Sequence, residues 1–102
     1  MDESIWGTVD RVKRGLDAAN GHDDHEITCR ILKLTEESGE AAAAWIGVLG
    51  RNPRKGVDHN RNAVVAELAD VAMAALVAIA SLDRDPRRVL AECAAKVDRR
   101  FG

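Results

Sequence analysis

Aromatic side chains are scarce in this sequence, which has two tryptophans, one phenylalanine and no tyrosine among its 102 residues. A core without many aromatic rings must be built from alanine, valine, leucine and isoleucine, and alanine is the strongest helix former. The sequence also lacks any run that alternates apolar and polar residues as a half-buried strand does. These absences predict an all-α fold.

An excess of charge of one sign is also lacking, since the formal net charge is −2. A nearly balanced chain has no general attraction to a nucleic-acid polymer or to an anionic membrane. The first residues, Met-Asp-Glu-Ser, are acidic and polar, unlike the basic and apolar leader of a secreted protein. We therefore expect a cytoplasmic protein of one domain, residues 1–102, in which Cys29 and Cys93 are reduced core residues.

Apolar periodicity and capping signals predict four helices that form a bundle. The predicted helices span about Ser4 to Ala19, Asp23 or Asp24 to Leu49, Asn62 to Leu82, and Pro86 to Arg99. Asn20-Gly21 ends the first helix, and Asp85 before Pro86 begins the fourth. The basic segment Arg51 to Asn60 contains proline and glycine and is predicted to be a loop.

The third predicted helix is apolar on nearly all sides from Val64 to Leu82, and Glu67 and Asp70 are its only acidic residues. A helix with this pattern is expected to be buried all round. Three neighbouring helices of one small chain cover it poorly, so we predict at least a dimer. A membrane span is the alternative, but two central acids and many alanines argue against it.

Five carboxylates on two helices are the candidate site. Glu67 and Asp70 point the same way because they are three residues apart, and buried together they require protons, a basic partner or a metal. Glu36, Glu37 and Glu40 fall within about 100° of arc on the second helix. Alone they would suit a solvated acidic face; with the acids of the third helix they favour Mg²⁺, or Mn²⁺ in its place. The Glu-x-x-His pairs of a di-iron bundle are absent from both helices.

The segments Glu36-Glu37-Ser38-Gly39-Glu40 and Glu67-Leu68-Ala69-Asp70 together resemble the E-E-x-x-E … E-x-x-D signature of MazG-like nucleotide pyrophosphohydrolases. The resemblance covers roughly Glu26 to Leu82. It implies the all-α NTP pyrophosphatase fold, a homodimer or homotetramer, and magnesium-dependent hydrolysis of a nucleoside triphosphate to the monophosphate and pyrophosphate. It also implies that Glu37, Glu40, Glu67 and Asp70 bind the metal and that Glu36 adds charge or orients a water or ligand. Such enzymes would clear non-standard or surplus nucleotides.

Substrate contacts are predicted outside the acidic motifs. Lys96 and Arg100 match the basic residues with which family members approach phosphate, although Val97 stands where those members have asparagine. Their alternative role is to stabilise the helix C-terminus. Lys55 in the predicted loop could contact phosphate, and its alternative role is that of an ordinary solvated loop residue. Trp45 could stack on a base or belong to the core stripe of the second helix, which comprises Ile27, Ile31, Leu34, Ala41 and Trp45.

Two other functions remain open at this point. One is a related all-α pyrophosphatase that acts on a phosphoribosyl nucleotide or on dCTP. The other is a non-catalytic helical interaction module whose acids bind basic partners. Intact acids on both helices favour an enzyme, whereas failure to bind magnesium would favour the module.

Overall fold

A computed structural model describes residues 2–50 and 60–102 of the chain. Within these residues there are four α-helices and no strand, so the predicted all-α class is confirmed. The helices are α1 (Ile5–Asn20), α2 (Asp24–Val48), α3 (Arg61–Ser81) and α4 (Pro86–Phe101). Each end lies within two residues of its predicted position. Of the predicted loop, only Asn60 lies among the described residues.

Side-chain caps fix where three of the helices begin. Carboxylate or amide oxygens of Asp23, Asn60 and Asp85 accept backbone N–H groups at 2.9, 3.2 and 3.1 Å, respectively. Each bond satisfies a donor that the first turn of a helix leaves unpaired. At the other end of α1, Gly21 has a φ of 77°, which is unfavourable for residues with a side chain. Local sequence therefore determines the helix ends.

The chain divides into two compact units, and both α2 and α3 are shared between them. The first unit is Met1–Ile27 with Leu76–Gly102, and the second is Thr28–Ala75. In the first unit Val9 is the most deeply buried side chain, with 1% of its surface exposed. In the second unit the buried residues of α2 are Arg30, Ala41 and Val48. All five carboxylates of the candidate site belong to this second unit.

Shortening Val9 to alanine is expected to lower the free energy of unfolding by about 2 kcal/mol, because it leaves a cavity in a packed region. Val12→Ala is the matched control, since Val12 lies on the same helix and is 43% exposed. Urea denaturation followed by circular dichroism measures both variants. Equal losses for the two variants would contradict the burial assigned to Val9.

The burial of α3 within one chain is incomplete, which agrees with the prediction that one small chain covers this helix poorly. Within one chain α3 is not covered on all sides: Val65 is 63% exposed and Leu68 is 54% exposed. Its buried residues, Leu76, Val77, Ala78 and Ser81, lie toward its C-terminal end. By length and composition alone α3 could cross a membrane, but core helices of soluble proteins pass the same test. The N-terminal half of α3 thus presents apolar surface that one chain leaves open.

Two predictions about the core were wrong. Ile31 and Trp45, placed in the core stripe of α2, are 45% and 39% exposed, and the charged residue Arg30 is buried on a neighbouring face. The buried face of α2, which includes Arg30, Ala41 and Val48, therefore lies closer to the acidic residues than the predicted core stripe does. Cys29 and Cys93 are exposed rather than in the core, and they are not joined by a disulfide.

Candidate metal centre

Three of the predicted metal ligands converge. Glu37 of α2 and Glu67 and Asp70 of α3 each provide a carboxylate oxygen, and these three oxygens all lie within 4.8 Å of one another. The i, i+3 spacing within α3 brings Glu67 and Asp70 to the same side of the helix. The Glu37 side chain is only 12% exposed, whereas Asp70 is exposed. We call these three residues the carboxylate triad.

One oxygen of the triad lacks a hydrogen-bond partner. Oε2 of Glu67 is buried, and no described residue donates to it. A buried carboxylate oxygen without a donor is unfavourable, so native proteins usually satisfy it with a partner, a water or an ion. The triad offers oxygen ligands alone, which is the donor set that Mg²⁺ prefers. The residues present therefore fit a hard divalent cation.

Glu40 lies beside the triad without being one of its three members. Repulsion from Glu37 is the largest cause that raises the pKa of Glu40, followed by desolvation and then by repulsion from Glu67 and Glu36. A side-chain hydrogen bond with Glu67 raises this pKa further. The negative charge of Glu40 therefore interacts with the charges of the triad. The crowding of negative charge is itself unfavourable without a cation.

The raised pKa of Glu40 gives a pH dependence with a definite sign. Because the pKa of Glu40 is raised in the folded state, its ionised form destabilises the fold. This destabilisation is fully present at pH values above the folded-state pKa. It decreases as the pH falls and is absent below 4.5, the ordinary pKa of a glutamate. In chelator-treated protein, Glu40→Gln should raise the urea midpoint at pH 7 and flatten its decrease with rising pH. The control Glu3→Gln removes the same charge at a position far from the triad along the chain. An equal change of the urea midpoint in this control would contradict the assignment of the pH dependence to the carboxylates around Glu40.

Glu36, the fifth acidic candidate, is paired with a lysine. Nζ of Lys33 lies 3.2 Å from Oε1 of Glu36 and 3.1 Å from Oε1 of Glu37. These contacts raise the pKa of Lys33, with the hydrogen bond to Glu37 as the largest cause. Sequence reasoning missed Lys33, although its position four residues before Glu37 on a helix is a recognisable signal.

The remaining substrate candidates are Lys96, Arg100, Lys55 and Trp45. Lys96 and Arg100 are exposed on α4, which belongs to the first unit. Lys55 lies outside the described residues. Trp45 belongs to the second unit, and the Arg61 guanidinium lies 5.1 Å from the centroid of its ring. A cation at this distance stacks on the ring face, so one face of Trp45 is already covered.

Trp45 lines an open apolar groove of about 580 Å³ between α2 and α3. The groove is lined by Ser38, Ala41, Ala42, Trp45, Val64, Leu68 and Val71, none of which is charged. At 100° per residue, its lining on α2 is centred roughly 90° from Glu37, the triad residue of that helix. The corresponding angle on α3 is roughly 100°. The apolar groove and the carboxylate triad therefore face different directions.

Comparison with protein-family models, with curated proteins and with solved structures finds no match to this chain. Function must therefore be inferred from the site itself. The site brings together three carboxylates of two helices, one of them with a buried oxygen that no described residue satisfies. An oxygen-only donor set of this kind suits a hard cation better than a soft one.

Proposed function

We propose that this chain is a magnesium-dependent nucleotide pyrophosphohydrolase with the fold of the MazG-like enzymes. It hydrolyses a nucleoside triphosphate between the α and β phosphorus atoms and releases the monophosphate and pyrophosphate. The observation that carries the proposal is the convergence of Glu37, Glu67 and Asp70 within 4.8 Å. The motif resemblance supplies the choice of cleaved bond. A cytoplasmic role in clearing non-standard or surplus nucleotides follows from the same resemblance.

Each acidic residue has a role in this proposal. Glu37, Glu67 and Asp70 would hold the metal together with Glu40, whose charge interacts with those of Glu37 and Glu67. Bound Mg²⁺, or Mn²⁺ in its place, supplies charge neutralisation for the triphosphate and activates water. Exposed Glu36 contributes negative charge and orients a water or ligand at the edge of the site. Asp70 is exposed, so a polyphosphate has access to that side of the triad.

The test is a hydrolysis screen with purified protein, Mg²⁺ and a panel of standard and modified nucleoside triphosphates. Chromatography should identify pyrophosphate and a monophosphate as the products. Turnover confined to dCTP or to a phosphoribosyl nucleotide would identify the related pyrophosphatase instead. Diphosphate with orthophosphate would show a different phosphohydrolase. Bound magnesium without turnover of any nucleotide would support the interaction module.

Asp70→Asn is expected to lower the hydrolysis rate by roughly a hundredfold or more, because the metal loses a charged ligand. Asp70 is exposed, so the change removes charge without disturbing a core. The matched control is Asp98→Asn on α4, which changes net charge equally in the other unit. Initial rates at saturating Mg²⁺ measure both variants, and normal turnover by Asp70→Asn would exclude Asp70 as a ligand.

The active form in this proposal is a homodimer or homotetramer in which a second copy covers the apolar groove. The groove has no charged lining, so two copies related by a two-fold axis would bury no unpaired charge there. Leu68 in this groove is 54% exposed in the single chain, and contact with a second copy would bury it. Because the triad faces a different direction, covering the groove leaves the carboxylates accessible.

Three residues are proposed to contact the nucleotide. Lys96 and Arg100 carry exposed positive charge suited to phosphate, and Lys55 is proposed for the same role. The support for Lys96 and Arg100 is their match to the family's basic tail. Trp45 lines the groove that a second copy covers in this proposal, so its 39% exposed ring is proposed to pack at that interface rather than on a base.

A further inference from the structure

Lys33 holds a position that the proposed metal chemistry does not use. It lies one helical turn before Glu37 on α2, and its Nζ is 3.1 Å from Oε1 of Glu37. The same ammonium is 3.2 Å from Oε1 of Glu36. One lysine thus bridges a member of the carboxylate triad and an exposed acid at its edge. The contact brings a positive charge directly to the candidate metal centre.

The contact with Glu37 conflicts with metal binding. An ammonium and a divalent cation at the same carboxylate repel each other, so the two compete for Glu37. The Lys33 side chain is 51% exposed and has a flexible four-carbon stem, which allows its ammonium to move away. When it moves, it remains within one turn of the triad, where the phosphates of a bound nucleotide would lie.

We propose that Lys33 is a phosphate-contacting residue, which exchanges the Glu36 and Glu37 carboxylates for phosphate oxygens of the substrate as the divalent cation binds. The inference rests on the proposed function, since it takes the triad as the metal site and a polyphosphate as the ligand. Charge balance favours the exchange because the phosphates are the strongest acceptors near the displaced ammonium. Lys33 therefore opposes metal binding alone and favours binding of metal with polyphosphate.

In Lys33→Met we expect the affinity for Mg²⁺ alone and the affinity for polyphosphate to change in opposite directions. The variant should bind Mg²⁺ alone about two- to fivefold more tightly, since it loses a competing exposed ion pair. With saturating Mg²⁺ it should bind inorganic tripolyphosphate about tenfold more weakly, since it loses a charge-assisted hydrogen bond. Isothermal titration calorimetry measures both affinities. Tripolyphosphate is the probe because it carries the phosphates without a base.

Two further variants separate this role from a structural one. Lys33→Arg keeps the charge and should restore tripolyphosphate binding to within about twofold of the wild type. Lys13→Met removes another i, i+4 ion pair, between Lys13 and Asp17 at 2.7 Å in the first unit, and should change neither affinity. Unchanged tripolyphosphate binding in Lys33→Met would overturn the inference. So would weaker binding of both ligands, which would indicate a damaged site.

Failure of the proposed function gives a distinct result. If the wild-type protein binds no Mg²⁺, the triad is not a metal site, and both the proposed function and the role of Lys33 are wrong. If the wild type binds Mg²⁺ and tripolyphosphate but Lys33→Met does so equally well, only the role of Lys33 is wrong. Thermal melts by circular dichroism confirm that each variant keeps its helices.

Discussion

Replacing Glu67 with glutamine is expected to abolish the proposed magnesium-dependent hydrolysis while the four helices persist. Glu67 is a member of the triad, and its Oε2 is buried without a donor among the described residues. Glutamine has nearly the same volume but no charge, so the site loses a ligand and keeps its packing. We expect turnover to fall by roughly a hundredfold or more, as for loss of a metal-binding group.

Stability should respond in the opposite direction to activity. In chelator-treated protein, Glu67→Gln removes one negative charge from a crowd of carboxylates, so the free energy of unfolding should be unchanged or higher. Glu92→Gln, on exposed α4, is the matched control for both readouts. Hydrolysis rates and urea midpoints measure the two effects. Near-normal turnover by Glu67→Gln would show that the triad does not bind the catalytic metal.

Placing a charge in the apolar groove is expected to prevent assembly of the proposed oligomer. Leu68→Glu puts a carboxylate on a surface whose lining contains no basic residue to pair with it. Burying that charge against a second copy would be strongly unfavourable. The wild type should scatter light as at least twice the 11.0 kDa of one chain at micromolar concentration, and the variant as a single chain.

Leu32→Glu is the matched control for the groove. Leu32 is also a leucine of the second unit, is 60% exposed, and does not line the groove. It should leave the oligomer intact while changing net charge by the same amount. A wild-type protein that is a clean monomer would count against the assembly. Equal dissociation by the two variants would place the interface elsewhere than in the groove.

Helix positions were predictable from the sequence because local chemistry fixes them. The helices begin close to where the sequence predicts, and Asp23, Asn60 and Asp85 each accept a backbone N–H at those starts. The meeting of Glu67 and Asp70 was predictable for a similar reason, since spacing within one helix dictates it. The approach of Glu37 to these two residues depends on an acidic face on each helix, and both faces are visible in the sequence.

Burial was less predictable because it depends on which neighbour covers each face. Periodicity placed Trp45 in the core of α2, yet Trp45 lines an open groove and is 39% exposed. Arg30 is 5% exposed, although its charge alone would assign it to the surface. Apolar periodicity marks a face as one that avoids water, but it does not distinguish a contact within the chain from a contact with another chain.

The placement of the two tryptophans provides each compact unit with its own fluorescent reporter. Trp6 belongs to the first unit, where the Arg87 guanidinium lies 5.6 Å from its ring centroid, and Trp45 belongs to the second. Single-tryptophan versions of the protein, made with Trp6→Phe or Trp45→Phe, would therefore follow the melting of each unit separately. Coincident transitions would show that the two units unfold together. A blue shift of Trp45 emission with rising protein concentration would report that a second copy covers the groove.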